Sequence, residues 1–129
     1  MATRALYVFK DSTQEFTVYK HWDGYPKGAY GYIKDAMPYA WALPRFEASD
    51  FGAAFIAGNK GEGGGDVYLL NGDSTNADAM GIEYIYTVTV DGEQLKIETQ
   101  HLGDDEVLPI IYIDHNGAYS MEEVKHENA

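Results

Sequence analysis

Chemistry in this chain would have to begin at a histidine and its neighbours. His21 stands two residues before Asp23 and four before Tyr25, and a carboxylate beside an imidazole can orient it as a general base. His21 and Asp23 are therefore the candidate catalytic pair, as in a small hydrolase. Asp114 and His115 form a second pairing of the same kind. Adjacent side chains of a strand point to opposite faces, so neither pairing guarantees contact. A loop histidine held by hydrogen bonds is the simpler expectation, and the chain reads as non-catalytic. His21, Trp22 and Tyr25, joined by Arg45, are an alternative set for gripping a small molecule or a nucleotide derivative.

Other chemistries fall away on inspection. The 129 residues include no cysteine, which excludes disulfides, thiolate metal sites and cysteine nucleophiles. The histidines at 21, 101, 115 and 126 show no helical metal-ligand spacing. The glycine-rich run Gly58 to Gly65 lacks the Gly-Lys-Ser/Thr ending of a phosphate-cradling loop. Asp73 to Asp78 resembles a calcium loop only superficially, because Ala77 occupies the third ligand position and no glycine follows it. What remains there is a weak divalent-ion arrangement of Asp73, Asn76 and Asp78. The expectation is no metal and no cofactor.

Charge is the feature of largest scale. The net charge is −12, and it is unevenly spread. Residues 1 to 60 hold seven Lys/Arg against six Asp/Glu, a net +1, whereas residues 61 to 129 hold two against fifteen, a net −13. An acidic half either maintains solubility or meets a basic partner. Direct nucleic-acid binding is disfavoured, since phosphate neutralisation needs a basic footprint. No run approaches the roughly 18 apolar residues of a membrane span, and the N-terminal apolar run before Lys10 is too short for a signal-peptide core. The expected location is the cytoplasm.

The elements that must position these residues read as ββ-αα-ββββ. Ala5 to Lys10 and Glu15 to Lys20 are β-rich runs around the polar turn Asp11-Ser12-Thr13-Gln14. His21 to Gly28 is a structured loop, and a helix follows to about Met37, burying Ala29, Ile33, Ala36 and Met37, with Pro38 ending or kinking it. A second helix places Phe51, Ala54, Phe55 and Gly58 on one stripe. Gly52, Ala53, Ala54 and Ala57 should let it lie close against a sheet, and Gly58 and Gly61 should stop it. Asp66 to Leu70 is a short strand. Ile82 to Val90 alternates with Ile82, Tyr84, Tyr86, Val88 and Val90 on one face, and Asp91-Gly92 turns it into Leu95 to Leu102. Val107 to Ile113 is a last strand with Pro109 near its start. Ser120 and Glu123 match a capping box for a short terminal helix. The expectation is one α+β domain over residues 1–124, an antiparallel sheet of five to six strands with two helices on one face, and a frayed tail over 125–129.

Aromatic content adds an interface. Trp22, Tyr25, Tyr30, Tyr32, Tyr39 and Trp41 gather around the first helix, and such a patch suits a partner surface or a homodimer seam.

Two segments, Val18-Tyr19-Lys20-His21-Trp22-Asp23-Gly24-Tyr25-Pro26 and Leu43-Pro44-Arg45-Phe46-Glu47-Ala48-Ser49-Asp50-Phe51, resemble a family of small uncharacterised proteins from bacteria and their phages. The resemblance covers roughly the first 70 residues and carries no assigned activity. It implies a phage-related setting, in which inhibition of a host enzyme or defence system is a fitting role.

The leading expectation joins these readings: a non-catalytic acidic protein whose C-terminal half docks on a basic surface of a host protein and so mimics nucleic acid. Its docking residues would be the loop acids Glu62, Asp66, Asp73, Asp78, Asp104, Asp105 and Glu106.

Overall fold

The computed structural model describes residues 3–63, 66–70, 81–104 and 107–122, with the side chains of residues 62 and 63 excepted. These residues form β1 (Ala5–Lys10), β2 (Glu15–Lys20), α1 (Pro26–Ala36), a 3₁₀ turn (Met37–Tyr39), α2 (Ala48–Gly63), β3 (Val67–Leu70), β4 (Tyr84–Asp91), β5 (Gln94–His101), β6 (Ile110–Asp114) and β7 (Tyr119–Glu122). The fold is α+β, as expected.

The sheet departs from expectation in size and in one pairing. Among the described residues it has seven strands in the order β3-β2-β1-β4-β5-β6-β7, and β1 runs parallel to β4 while every other pair is antiparallel. The physical cause lies in the two middle strands. β1 is buried along Ala5 to Phe9, and Ile85 and Tyr86 of β4 are buried on opposite faces. Strands with two apolar faces belong in the centre of a sheet, where each needs a neighbour on both edges. β1 takes β2 on one side through the Asp11 turn and β4 on the other.

The two helices cover one face. Tyr7, Phe9, Val18, Tyr86, Val88, Leu95, Ile97 and Ile113 of the sheet meet Ala29, Ile33 and Ala36 of α1 and Phe51, Ala54 and Phe55 of α2. Aromatic rings dominate the contact: Tyr7 lies 4.5 Å from Phe55 and 5.3 Å from Tyr86, centroid to centroid. A smaller cluster on the opposite face joins Leu6, Val8, Tyr19, Ile82 and Ile85. Ile82 thus packs away from Tyr84, contrary to strict alternation, because the strand begins only at Tyr84.

Local sequence explains the helix ends. Pro26 occupies the first turn of α1, where its missing N–H costs nothing. Pro38 sits in the 3₁₀ turn that closes that helix. α2 was expected to stop at Gly58 or Gly61, but it continues to Gly63. Gly58 is instead a crossing point, since a Cβ there would lie 3.1 Å from the Asp35 carbonyl oxygen of α1. Of the small residues in α2, Gly52 and Ala54 are buried while Ala53 and Ala57 face solvent. Where the expected terminal helix would begin, Tyr119–Glu122 is a strand, with Tyr119 and Met121 paired to Ile113 and Ile111, and the rest of that expected helix lies outside the described residues. Asn116-Gly117 forms a tight turn with Gly117 at φ +83°, and pairing to the open edge of β6 outweighs a cap signal at Ser120.

Candidate functional site

The register gathers one set of side chains at one end of the sheet. Val67 pairs with Lys20, Lys20 with Ala5, Ala5 with Tyr84, and Tyr84 with His101. The segments leaving these residues therefore share a rim: Asp66, the His21 to Tyr25 loop, Arg4, Glu83, and Leu102 to Asp104. Four strand spacings separate the β3 and β5 ends, roughly 19 Å.

The His21 to Tyr25 loop is held from three sides. The His21 amide donates to the Asp66 carbonyl at 3.0 Å, extending the β2–β3 ladder, and the Gly24 amide donates to the Thr3 carbonyl at 2.8 Å. The Tyr86 hydroxyl, buried beneath the loop, donates to the Gly24 carbonyl. Burial first, then Tyr7, Tyr30 and Tyr84, pushes the Tyr86 phenol far above its ordinary range, so it stays a donor. Asp23 takes the left-handed conformation at φ +55°, one that Asp tolerates better than most residues. Gly24 is required by space, because a Cβ would fall 2.6 Å from both the Ala5 Cβ and the Thr3 carbonyl oxygen.

This geometry directs His21 and Asp23 to different partners. His21 Nδ1 shares a 2.6 Å hydrogen bond with the Tyr19 hydroxyl. The Asp23 carboxylate accepts from the Tyr32 hydroxyl at 3.0 Å. Imidazole and carboxylate are thus each tied to a tyrosine, and the loop is braced from β2 and from α1. Lys20 stacks over the other side of Tyr32, with its ammonium 3.9 Å from the ring centre, although the residue is almost fully buried.

The outer surface of the loop is aromatic and acidic. Trp22 is 46% exposed and Tyr25 43%. The Trp22 indole N–H donates to the Asp66 carboxylate at 3.0 Å, which fixes the ring in an outward pose. Asp23, Asp66, Glu83 and Asp104 are all exposed along this rim, where Arg4 is half-buried and Lys27 exposed. At the far end of the rim His101 stacks on Tyr84 at 4.4 Å with an 8° interplanar angle. Its Nδ1 stands 3.5 Å from the Asp104 carboxylate, longer than an ordinary hydrogen bond.

Of the expected docking acids, Asp66 and Asp104 lie on this rim. Asp73, Asp78, Asp105, Glu106 and the Glu62 side chain lie outside the described residues, as does the Asp73, Asn76 and Asp78 arrangement. Among the described residues no three His, Cys, Asp or Glu side chains are placed to hold a metal ion, and no helix is long and apolar enough to cross a membrane. Arg45 is not part of the loop's surroundings. It pairs with Glu47 at 3.0 Å and stacks over Trp41 at 3.9 Å, near the opposite end of the sheet. The aromatic residues around α1 likewise divide: Trp22 and Tyr25 at the rim, Tyr39 and Trp41 at the other end, with Tyr30 packed edge-on against Tyr86 between them.

Glu83 joins the rim without having been singled out in the sequence. Its signal was position alone, immediately before a strand whose first residue pairs with β1. No family model, no curated protein and no solved structure matches this chain.

Proposed function

We propose that this chain is a non-catalytic binding protein that docks on a basic surface of a partner protein through the rim at the His21 end of its sheet. The observation that carries the reading is one juxtaposition: the exposed carboxylates of Asp23, Asp66, Glu83 and Asp104 share a rim with the outward rings of Trp22 and Tyr25. Aromatic anchors supply contact area at low entropic cost, while flanking carboxylates steer a basic partner into place. The Trp22 ring held by Asp66 and the braced loop mean little ordering remains to be done on binding.

The partner class follows from charge. A protein that handles nucleic acid, in a phage-related setting a host enzyme or defence protein, carries a basic groove of the kind such a rim would occupy. The expected consequence is inhibition by nucleic-acid mimicry. A small-molecule role at the His21 loop has less support, since Arg45 lies at the opposite end and His21, Trp22 and Asp23 already have partners. A hydrolytic role would need His21 and Asp23 to cooperate, and each is bonded to a different tyrosine.

The test is a pull-down from host lysate at low and high salt, comparing the native chain with Trp22→Ala and with the combined Asp66→Asn, Glu83→Gln and Asp104→Asn variant. Capture of a basic protein that weakens with salt and with both variants supports the reading. Capture that is unchanged by both contradicts it.

A further inference from the structure

At the other end of the sheet, an open cleft of about 510 Å³ lies between the end of α1, the start of α2 and the β6–β7 turn. That volume falls within the range of small-molecule pockets, roughly 300–1,000 Å³. Met37, Leu43, Trp41 and Phe51 form its apolar walls, and Lys34 and His115 stand at its polar side. In a chain of net charge −12 this lining contains no carboxylate among the described residues. Arg45, which stacks on the Trp41 ring, is already paired with Glu47 and is not part of the lining.

The polar side is built rather than incidental. The Asp114 carboxylate accepts from the Asn116 and Ala118 amides at 2.8 and 2.9 Å, which locks the turn beside the cleft. Gly117 takes φ +83°, and a Cβ there would fall 2.9 Å from Lys34 Cε, so the turn presses directly on the lysine stem. The Lys34 ammonium lies 5.2 Å from the Tyr119 ring centre and makes no ion pair among the described residues. On the opposite wall the Trp41 amide is held by the Asp50 carboxylate at 3.0 Å, which turns that acid toward the backbone.

We propose that this cleft binds a small planar aromatic carboxylate, with its ring against Trp41, Leu43 and Met37 and its carboxylate toward Lys34 and His115. An apolar slot selects the ring, and the Lys34 ammonium at its edge, without an ion pair among the described residues, selects the anion. The site lies across the sheet from the docking rim and stands independently of it.

The test uses 2-naphthoate, its neutral counterpart 2-naphthamide, and acetate, followed by amide chemical shifts of the labelled protein. Naphthoate should shift residues 34, 41–43 and 115–117 saturably, about tenfold more tightly than naphthamide, with acetate inert at the same sites. Lys34→Gln should remove most of the preference for the acid, Trp41→Ala should weaken both aromatic ligands, and Lys27→Gln should change neither. Lys34 and Lys27 are exposed, so both glutamine variants keep the fold, which the rest of the spectrum verifies. No saturable shift below about 10 mM naphthoate, equal affinity for acid and amide, or equal effects of Lys34→Gln and Lys27→Gln would overturn the assignment.

Discussion

The Asp11 carboxylate accepts the Ala48 amide at 2.8 Å, so a residue of the β1–β2 turn caps a helix that begins 37 positions later. The same carboxylate also accepts the Thr13 and Gln14 amides at 2.8 and 2.9 Å. It joins the hairpin to α2 at the sheet end farthest from the His21 loop. The Ala48 bond first, then those from Thr13 and Gln14, hold the Asp11 carboxyl well below the usual carboxylate range.

That depression has a definite sign. A carboxyl whose folded pKa lies below its unfolded value, about 3.9, contributes stability above that value and loses it as pH falls through the folded pKa. Asp11→Asn should therefore lower the melting temperature at pH 7, and the gap from the native chain should narrow steadily below about pH 4. Melts over a pH series check this. A gap that is constant across the series would show that the charge on Asp11 is irrelevant.

The loop predicts its own sensitivity. Gly24→Ala forces a methyl group into space already held by Ala5 and Thr3, and should cost about 2–3 kcal/mol by chemical denaturation. Tyr86→Phe removes the buried donor to the Gly24 carbonyl, with an expected cost of about 1–3 kcal/mol from the acceptor left behind.

The helix face of the sheet should respond to lost volume. Phe55 is fully buried between Tyr7 and Phe9, so Phe55→Ala should destabilise by about 3–5 kcal/mol. Ala53→Ser, on the exposed side of the same helix, should move stability by about half a kcal/mol or less.

Local chemistry was legible in the sequence and long-range pairing was not. Strand periodicity and turn residues placed β1, β2, β4 and β5 within about two residues, because the Asp11 turn and Asp91-Gly92 are local signals. The parallel partnership of β1 and β4 leaves no local trace, since the two strands are separated by both helices and β3. Gly58 read as a stop because its reason for being glycine is the Asp35 carbonyl of another helix. The site followed the same division. The His21 to Tyr25 loop was visible from its composition. The braces that separate His21 from Asp23 come from Tyr19 and Tyr32, and the alignment of Asp66 with Glu83 and Asp104 follows from strand register alone.

Association kinetics with a captured basic partner bear most directly on the docking rim. Surface attraction is screened beyond a Debye length of roughly 8 Å at physiological salt, so the association rate should fall steeply as salt is raised. Replacing Asp66, Glu83 and Asp104 by Asn, Gln and Asn should slow association and flatten its salt dependence, with stability moved by only about half a kcal/mol. The same number of neutralisations at Glu15, Asp35 and Glu93, away from the rim, should do far less. Equal rates and equal salt slopes for the two triple variants would contradict docking through this rim.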